Sequence, residues 1–302
     1  MTLTEEILEL KKQRNAVILA HNYVGGDVQD IADFTGDSLE LSIRAKQVKA
    51  PVIVFCGVRF MAETAKLLSP ESTVLLPNPD AGCPMADMAS AEGVIAMRKE
   101  FPDAVYCAYV NSTADTKSQI DICCTSGNVE NVLSSIPAEK EIVFLPDRNL
   151  GANMSRKLNR KLRLWDGCCP VHDAVTPDVI LAAKAEHPGA EVLVHPECRP
   201  ETLAVCDKAM STGGILRYVR ESEKTEFIIA TEYGILHRLE KENPGKKFYH
   251  IQPAIICKDM KTITLEQVRD CLRDGKTEVL LPADVMRDAV KPIEKMIALP
   301  AK

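Results

Sequence analysis

Cys83, Cys169 and Cys257 stand 86 and 88 residues apart, and each follows a short apolar run that ends in a loop. The runs are Thr73 to Leu76, Leu162 to Trp165 and Lys247 to Ile251. The loops read Gly82-Cys83-Pro84-Met85, Gly167-Cys168-Cys169-Pro170-Val171-His172 and Gln252-Pro253-Ala254-Ile255-Ile256-Cys257. An apolar run broken by Gly or Pro is a strand entering a tight turn. Three cysteines at matched spacing would bring three thiolates to one place. Such a set suits zinc, with His172 as a fourth ligand, or an iron–sulfur cluster. Structural zinc sites usually draw on close cysteine pairs, and no Cys-x-x-Cys spacing exists among these three, which favours the cluster. A [4Fe–4S] cluster on three cysteines keeps one iron without a protein ligand, free to act as a Lewis acid. The other eight cysteines (Cys56, Cys107, Cys123, Cys124, Cys168, Cys198, Cys206 and Cys271) do not repeat. They read as small buried hydrophobes, with Cys168 set apart because it adjoins Cys169.

Two further polar sets recur with the same period. His21-Asn22-Tyr23, Tyr109-Val110-Asn111 and His195-Pro196-Glu197 begin 88 and 86 residues apart, each after an apolar strand. Ser38, Ser126 and Ser211 are 88 and 85 residues apart, in the helix-opening stretches Gly36-Asp37-Ser38, Thr125-Ser126-Gly127-Asn128 and Ser211-Thr212-Gly213. These stretches have N-cap chemistry. Aimed at one cavity, their backbone N–H groups and positive dipole ends would hold phosphate or carboxylates, so the expected substrate is small and polyanionic. His195 and Glu197, two apart on an extended chain, face the same way as a paired acid and base.

The elements that must position these residues repeat as well. Each unit runs polar strand end, helix opening, strand, helix, strand and cysteine. The first has strands at Ala16 to Ala20, Val52 to Phe55 and Thr73 to Leu76, with helices Leu39 to Val48, Phe60 to Leu68 and Met85 to Lys99. The second has strands Ala104 to Ala108, Glu141 to Leu145 and Lys161 to Trp165, with helices Val129 to Ser135, Leu150 to Asn159 and Pro177 to Glu186. The third has strands Glu191 to Val194, Phe227 to Ala230 and Lys247 to Ile251, with helices Ile215 to Glu221 and Gly234 to Glu242. A helix precedes them at Met1 to Arg14, and residues 264 to 302, mostly helical with a break at Pro282, form a C-terminal cover.

A period near 87 is too long for a solenoid, so the pattern is domain triplication. The expected fold is α/β: three homologous parallel units, residues 1–100, 101–188 and 189–302, around a pseudo-threefold axis. The site lies at their common interface, because ligands bind outside the carboxyl ends of parallel strands.

The chain has 302 residues, 46% hydrophobic and 26% charged, with a net charge of −6, which argues against a general nucleic-acid binder. No apolar run approaches the ~20 residues of a membrane span. The charged start lacks the apolar core of a signal peptide, so a cytoplasmic protein is expected and its 11 cysteines are not a disulfide framework.

Together, His21-Asn22-Tyr23, Gly36-Asp37-Ser38, Gly82-Cys83-Pro84-Met85-Ala86-Asp87, Tyr109-Val110-Asn111, Gly167 to His172, His195-Pro196-Glu197-Cys198 and Ser211-Thr212-Gly213 resemble the quinolinate synthase family over nearly the whole chain. The resemblance implies condensation of iminoaspartate with dihydroxyacetone phosphate to quinolinate, phosphate and water for NAD biosynthesis. It implies a [4Fe–4S] cluster on Cys83, Cys169 and Cys257, and the iminoaspartate-producing enzyme as a candidate partner. Substrate-contacting and acid/base positions would fall on His21, Tyr23, Ser38, Tyr109, Asn111, Ser126, His172, His195, Glu197, Ser211 and Thr212. Tyr23, Glu197, His21 and His195 are the expected catalytic groups among them. Some family members carry Cys-x-x-Cys-x-x-Cys before the last ligand; Ile251 and Ala254 stand there instead, which argues against that disulfide switch. A cluster-dependent hydratase would share the open iron without a phosphate site. A metal sensor would need the cysteines but not the polar strand ends.

Overall fold

A computed structural model of the chain describes residues 2–299. Its strands are β1 (Ala16–His21), β2 (Phe34–Gly36), β3 (Val52–Cys56), β4 (Thr73–Leu75), β5 (Val105–Tyr109), β6 (Ile122–Cys124), β7 (Ile142–Leu145), β8 (Arg163–Leu164), β9 (Glu191–Val194), β10 (Lys208–Ala209), β11 (Glu226–Ala230) and β12 (Lys247–His250). They form three four-stranded sheets with one topology, β2-β1-β3-β4, β6-β5-β7-β8 and β10-β9-β11-β12, parallel throughout. Helices cover both faces, which is why the central strands β3, β7 and β11 are almost wholly apolar and buried.

The fold is α/β with three repeated units. The repeat reaches details that the strand and helix pattern does not reveal. The amide of Ile18 donates to Asp33 Oδ2, that of Tyr106 to Asp121 Oδ2 and that of Val192 to Asp207 Oδ2, each at 2.8 Å. The same aspartates pair with Lys11, Arg98 and Lys184 on the preceding helices. One carboxylate per unit thus ties the first strand to the helix before it.

Several elements differ from expectation. The edge strands β2, β6 and β10 and the short helices Gly26–Asp30, Ala114–Lys117 and Pro200–Leu203 fill stretches that read as loop. The helix expected from Met85 is a 3-10 turn, Ala86–Met88, followed by a helix at Ala91–Glu100. The Ser90 hydroxyl accepts from the Gly93 amide and starts that helix afresh. Asp37, not Ser38, caps the helix Ser38–Gln47, accepting from Leu39 and Glu40 at 3.0 Å, a cap worth about 1 kcal/mol. Ser126 makes no helix cap: the Asn128 side chain folds back on Thr125, and the helix begins at Val129 and ends at Ser135 as the sequence reads.

The C-terminal cover is helical, as Leu265–Asp274 and Ala283–Ile297. It lies over the first two sheets. The first helix packs on Leu3–Gln13 and β3; the second packs on β6, Ala114–Lys117 and Arg59–Leu68. The Asn128 amide holds its end through the carbonyls of Met296 and Leu299, at 2.9 and 2.8 Å.

The units are joined by buried amide side chains. Gln29 Nε2 donates to the carbonyls of Asn22, Val24 and Gly234, each at 3.0 Å. Asn149 and Asn153 donate to the carbonyls of Glu197, Pro196 and Cys198, so the second unit grips the strand end that carries His195 and Glu197.

Candidate active site

A cavity of about 520 Å³ opens where the carboxyl ends of the three sheets meet. Strands β1, β5 and β9 bring His21, Tyr109 and His195 to its wall. In the first and third units the chain turns identically: the Tyr23 amide donates to His21 Nδ1 at 3.2 Å and the Glu197 amide to His195 Nδ1 at 3.3 Å. An amide can only donate, so both Nδ1 atoms are lone-pair acceptors and any ring proton sits on Nε2. Burial agrees, lowering both histidines to about 3 and keeping them neutral. His195 Nε2 then donates to Ser126 Oγ at 3.2 Å.

Glu197 is the polar node of the cavity, 4% exposed. The Tyr109 hydroxyl donates to Oε1, and His172 Nδ1 lies 2.7 Å from Oε2. Burial pushes the carboxyl up, but His195, His172 and the Tyr109 hydroxyl outweigh it, and we assign a carboxylate. Burial, then the charge of Glu197, raises the Tyr109 phenol and keeps it a donor. His172 stacks on His195 with centroids 4.6 Å apart.

The three cysteines occupy equivalent places after β4, β8 and β12, and all three line the cavity. Each opens a helical turn. The Cys83 carbonyl accepts from Ala86 at 2.8 Å, that of Cys169 from Asp173 at 2.8 Å and that of Cys257 from Lys261 at 3.2 Å. Burial raises the thiols, Cys83 to about 12. Backbone amides of the same turns (Ala86 and Met85, His172, Met260 and Asp259) favour the thiolates in opposition. The Cys257 loop is fixed further by Glu232, which accepts the Cys257 amide at 3.1 Å and pairs with Lys261 at 2.9 Å.

Cys169, His172 and Glu197 also present ligand atoms within 4.8 Å of one another, a group that could hold a metal ion. Among the described residues the three cysteine sulfurs form no such tight set.

Of the expected site residues, His21, Tyr23, Ser38, Tyr109, Asn111, Ser126, His172, His195, Glu197 and Thr212 line the cavity with the three cysteines. Ser211 does not. Its hydroxyl accepts the Gly214 amide as a helix cap and reaches Asp37 Oδ2 at 3.4 Å, and its surface faces a neighbouring cavity. Gly213 sits where a Cβ would meet Asp37 Oδ2 at 2.6 Å, so the absence of a side chain admits that carboxylate to the helix start. Asn111 Oδ1 is buried with no partner among the described residues, an acceptor facing ligand space.

Reading the sequence missed Thr231, Glu232 and Lys261 and took Asp37 only as part of a helix opening; all four hold the expected residues in place. Glu232 and Asp37 follow the repeat only loosely, and no local motif marks Thr231. The remaining cysteines are buried except Cys168 and Cys206, which are half-buried. The longest helix is Ala283–Ile297, and none of the described residues forms a helix long and apolar enough to cross a membrane.

The family model for quinolinate synthetase A protein matches residues 5–298. A quinolinate synthase from Desulforudis audaxviator is 51% identical over 297 residues, 98% of each chain. Those from Methanoregula boonei and Geobacter metallireducens are 50% and 48% identical, covering 98% and 99% of this chain and 98% of theirs.

Proposed function

The chain belongs to the quinolinate synthetase A protein family, and on that premise we propose how its cavity makes quinolinate for NAD biosynthesis. The substrates are iminoaspartate and dihydroxyacetone phosphate, with phosphate and water released. Cys83, Cys169 and Cys257 hold a [4Fe–4S] cluster. The observation that carries this reading is the threefold equivalence of the cysteines: each sulfur heads a helical turn whose amides favour the thiolate, at the same place in each sheet, around one cavity. When bound, the cluster supplies an iron free of protein ligands, a Lewis acid for substrate oxygen or nitrogen.

The cavity's wall is acidic. Asp37, Glu197, Glu232 and Asp259 lie on the wall against one lysine, Lys258, among the described residues. A polyanionic substrate needs positive potential from elsewhere. The helix starts at Ser38 and Thr212 offer it. A single ion on Cys169, His172 and Glu197 is the weaker reading. Two ligands of a tetrahedral ion at about 2.0–2.1 Å sit roughly 3.3 Å apart. His172 Nδ1 and Glu197 Oε2 lie 2.7 Å apart, the distance of a hydrogen bond.

The chain's own residues divide the remaining work. Asn111 and Ser126 orient substrate oxygens. Tyr23 and Glu197 take and return protons during isomerisation, ring closure and dehydration. His21 and His195, neutral at physiological pH, donate from Nε2. The thiol-rich site suits the reducing cytoplasm. The iminoaspartate-producing enzyme is a candidate partner.

Single replacement of Cys83, Cys169 or Cys257 by Ser tests the ligand set through iron and sulfide content after anaerobic reconstitution. Each is expected to lose the cluster, whereas Cys168→Ser keeps it. Bleaching by Cys168→Ser with Cys169→Ser still loaded would move the ligand by one residue.

A further inference from the structure

Three consecutive carbonyls at the turn that carries Tyr23 are held by side chains. Gln29 Nε2 donates to those of Asn22 and Val24 at 3.0 Å, and Lys261 Nζ donates to that of Tyr23 itself. Lys261 belongs to the third unit, on the turn that Cys257 opens, where its amide donates to the Cys257 carbonyl at 3.2 Å. Its ammonium also meets both oxygens of Glu232, at 2.9 and 3.0 Å. Glu232 is wholly buried and accepts the Cys257 amide at 3.1 Å and the Gly234 amide at 2.6 Å. One ionic node thus joins a cysteine turn of the third unit to the backbone of Tyr23 in the first. The node has no slack. A Cβ on Gly234 would lie 2.7 Å from Lys261 Nζ, 2.8 Å from the Tyr23 carbonyl oxygen and 2.9 Å from Glu232 Oε2.

A similar joint recurs at Glu197, the residue equivalent to Tyr23. Asp173 stands four residues after Cys169, as Lys261 does after Cys257, and its amide donates to the Cys169 carbonyl at 2.8 Å. Asn149 Nδ2 donates both to Asp173 Oδ1 at 2.8 Å and to the Glu197 carbonyl at 3.2 Å. Asn153 holds the carbonyls on either side. Asp87, at the same place after Cys83, is exposed and makes no such link among the described residues.

We propose that Lys261 is the positioning residue that sets Tyr23 from the Cys257 turn, so that loading the cysteines and placing the Tyr23 hydroxyl go together. A turn whose thiolate is fastened to a bound group loses freedom. Lys261 and Glu232 carry that restraint across the unit boundary. An ammonium on a carbonyl oxygen also holds the chain more firmly than a neutral donor does. Without the tie, Gln29 alone holds the turn from its two flanks, and the phenol loses its fixed place on the cavity wall. This inference rests on the reading of Cys257 as a cluster ligand and of Tyr23 as a proton-handling group.

Hydrogen exchange of segment 21–29, followed by mass spectrometry in chelated and in cluster-loaded protein, reads the tie without an activity assay. Loading is expected to slow exchange there several-fold in the unaltered chain. In Lys261→Met, brought to the same iron content, that slowing should be lost. Its kcat should fall on the order of 10²-fold, the range for a misplaced reacting group, with KM unchanged. Lys261→Arg keeps a cation for both the carboxylate and the carbonyl and should recover most of both effects. Exchange at 21–29 that ignores loading in the unaltered chain, or that slows equally in Lys261→Met, overturns the proposal. Equal losses in the Met and Arg variants would assign Lys261 to packing. Lys261→Met leaves Glu232 buried without its cation, a lesion that can unfold a protein. In that event Gly234→Ala, which keeps both charges and forces the node apart, should lose the slowing in its place, and retained slowing overturns the tie. Tyr23→Phe separates the claims. A dead Tyr23→Phe beside a fully active Lys261→Met removes the positioning role alone, whereas an unchanged rate in Tyr23→Phe removes the assignment beneath it.

Discussion

Glu197 is held by a donor at each oxygen: the Tyr109 hydroxyl at Oε1 and His172 Nδ1 at Oε2. Charge held this way can be given up to a proton without breaking the structure around it, which suits a group that cycles between carboxylate and acid. Glu197→Gln keeps the shape and one acceptor, so fold and iron content should survive. The rate of quinolinate formation should fall by about 10²-fold. A loaded cluster with an unchanged rate would leave Glu197 as a brace for the histidines and pass its role to Tyr23 and His195. Much at this scale could be read from the sequence, because period and residue type coincide in His21, Tyr109 and His195 and in the three cysteines. Thr231 could not, since one threonine after a strand looks like any other. Only the packing of three units shows it lying between Tyr23 and His172. Ser211 is a similar case. A serine at a helix start reads alike whether its hydroxyl serves the helix or a ligand, and here it serves the helix.

Strand ends are held by side chains borrowed from the neighbouring unit, and this is where elements set catalytic geometry. Asn153 donates to the carbonyls of Pro196 and Cys198 at 2.9 and 2.8 Å, on either side of Glu197. Asn153→Leu leaves two buried carbonyls without that donor, at a cost of about 1–3 kcal/mol for an unsatisfied group. Denaturant titration should show that loss of stability, and turnover should fall with the cluster still loaded. Unchanged stability would mean that water or another donor replaces the amide. The long apolar strands and the helix Pro177–Glu186 follow directly from pattern. Edge strands β2, β6 and β10 do not, because two or three residues carry no measurable period and their pairing comes from the neighbouring strand. The aspartate-to-strand-amide tie is a different case. Asp33, Asp121 and Asp207 do repeat, 88 and 86 residues apart, but an isolated aspartate in a polar stretch reads as a turn residue.

At the scale of the whole molecule, triplication explains why a cavity exists at all. Three sheets of one topology meet at their carboxyl ends, and their divergence at equivalent positions supplies unlike groups to one space: Tyr23, Asn111 and Glu197 at one level, three identical cysteines at another. The cover 264–299 joins the first two units, and through Asn128 its end is tied to the turn that carries Ser126. Quinolinate formation should depend on a cluster held by the three equivalent cysteines. The most direct measurement is an anaerobic assay of quinolinate from iminoaspartate and dihydroxyacetone phosphate, with iron and sulfide quantified in the same preparation. About four irons and four sulfides per chain are expected, with activity that disappears with the iron when the protein is chelated or exposed to air. Full quinolinate formation by iron-free protein, or by protein carrying a single zinc, would contradict it.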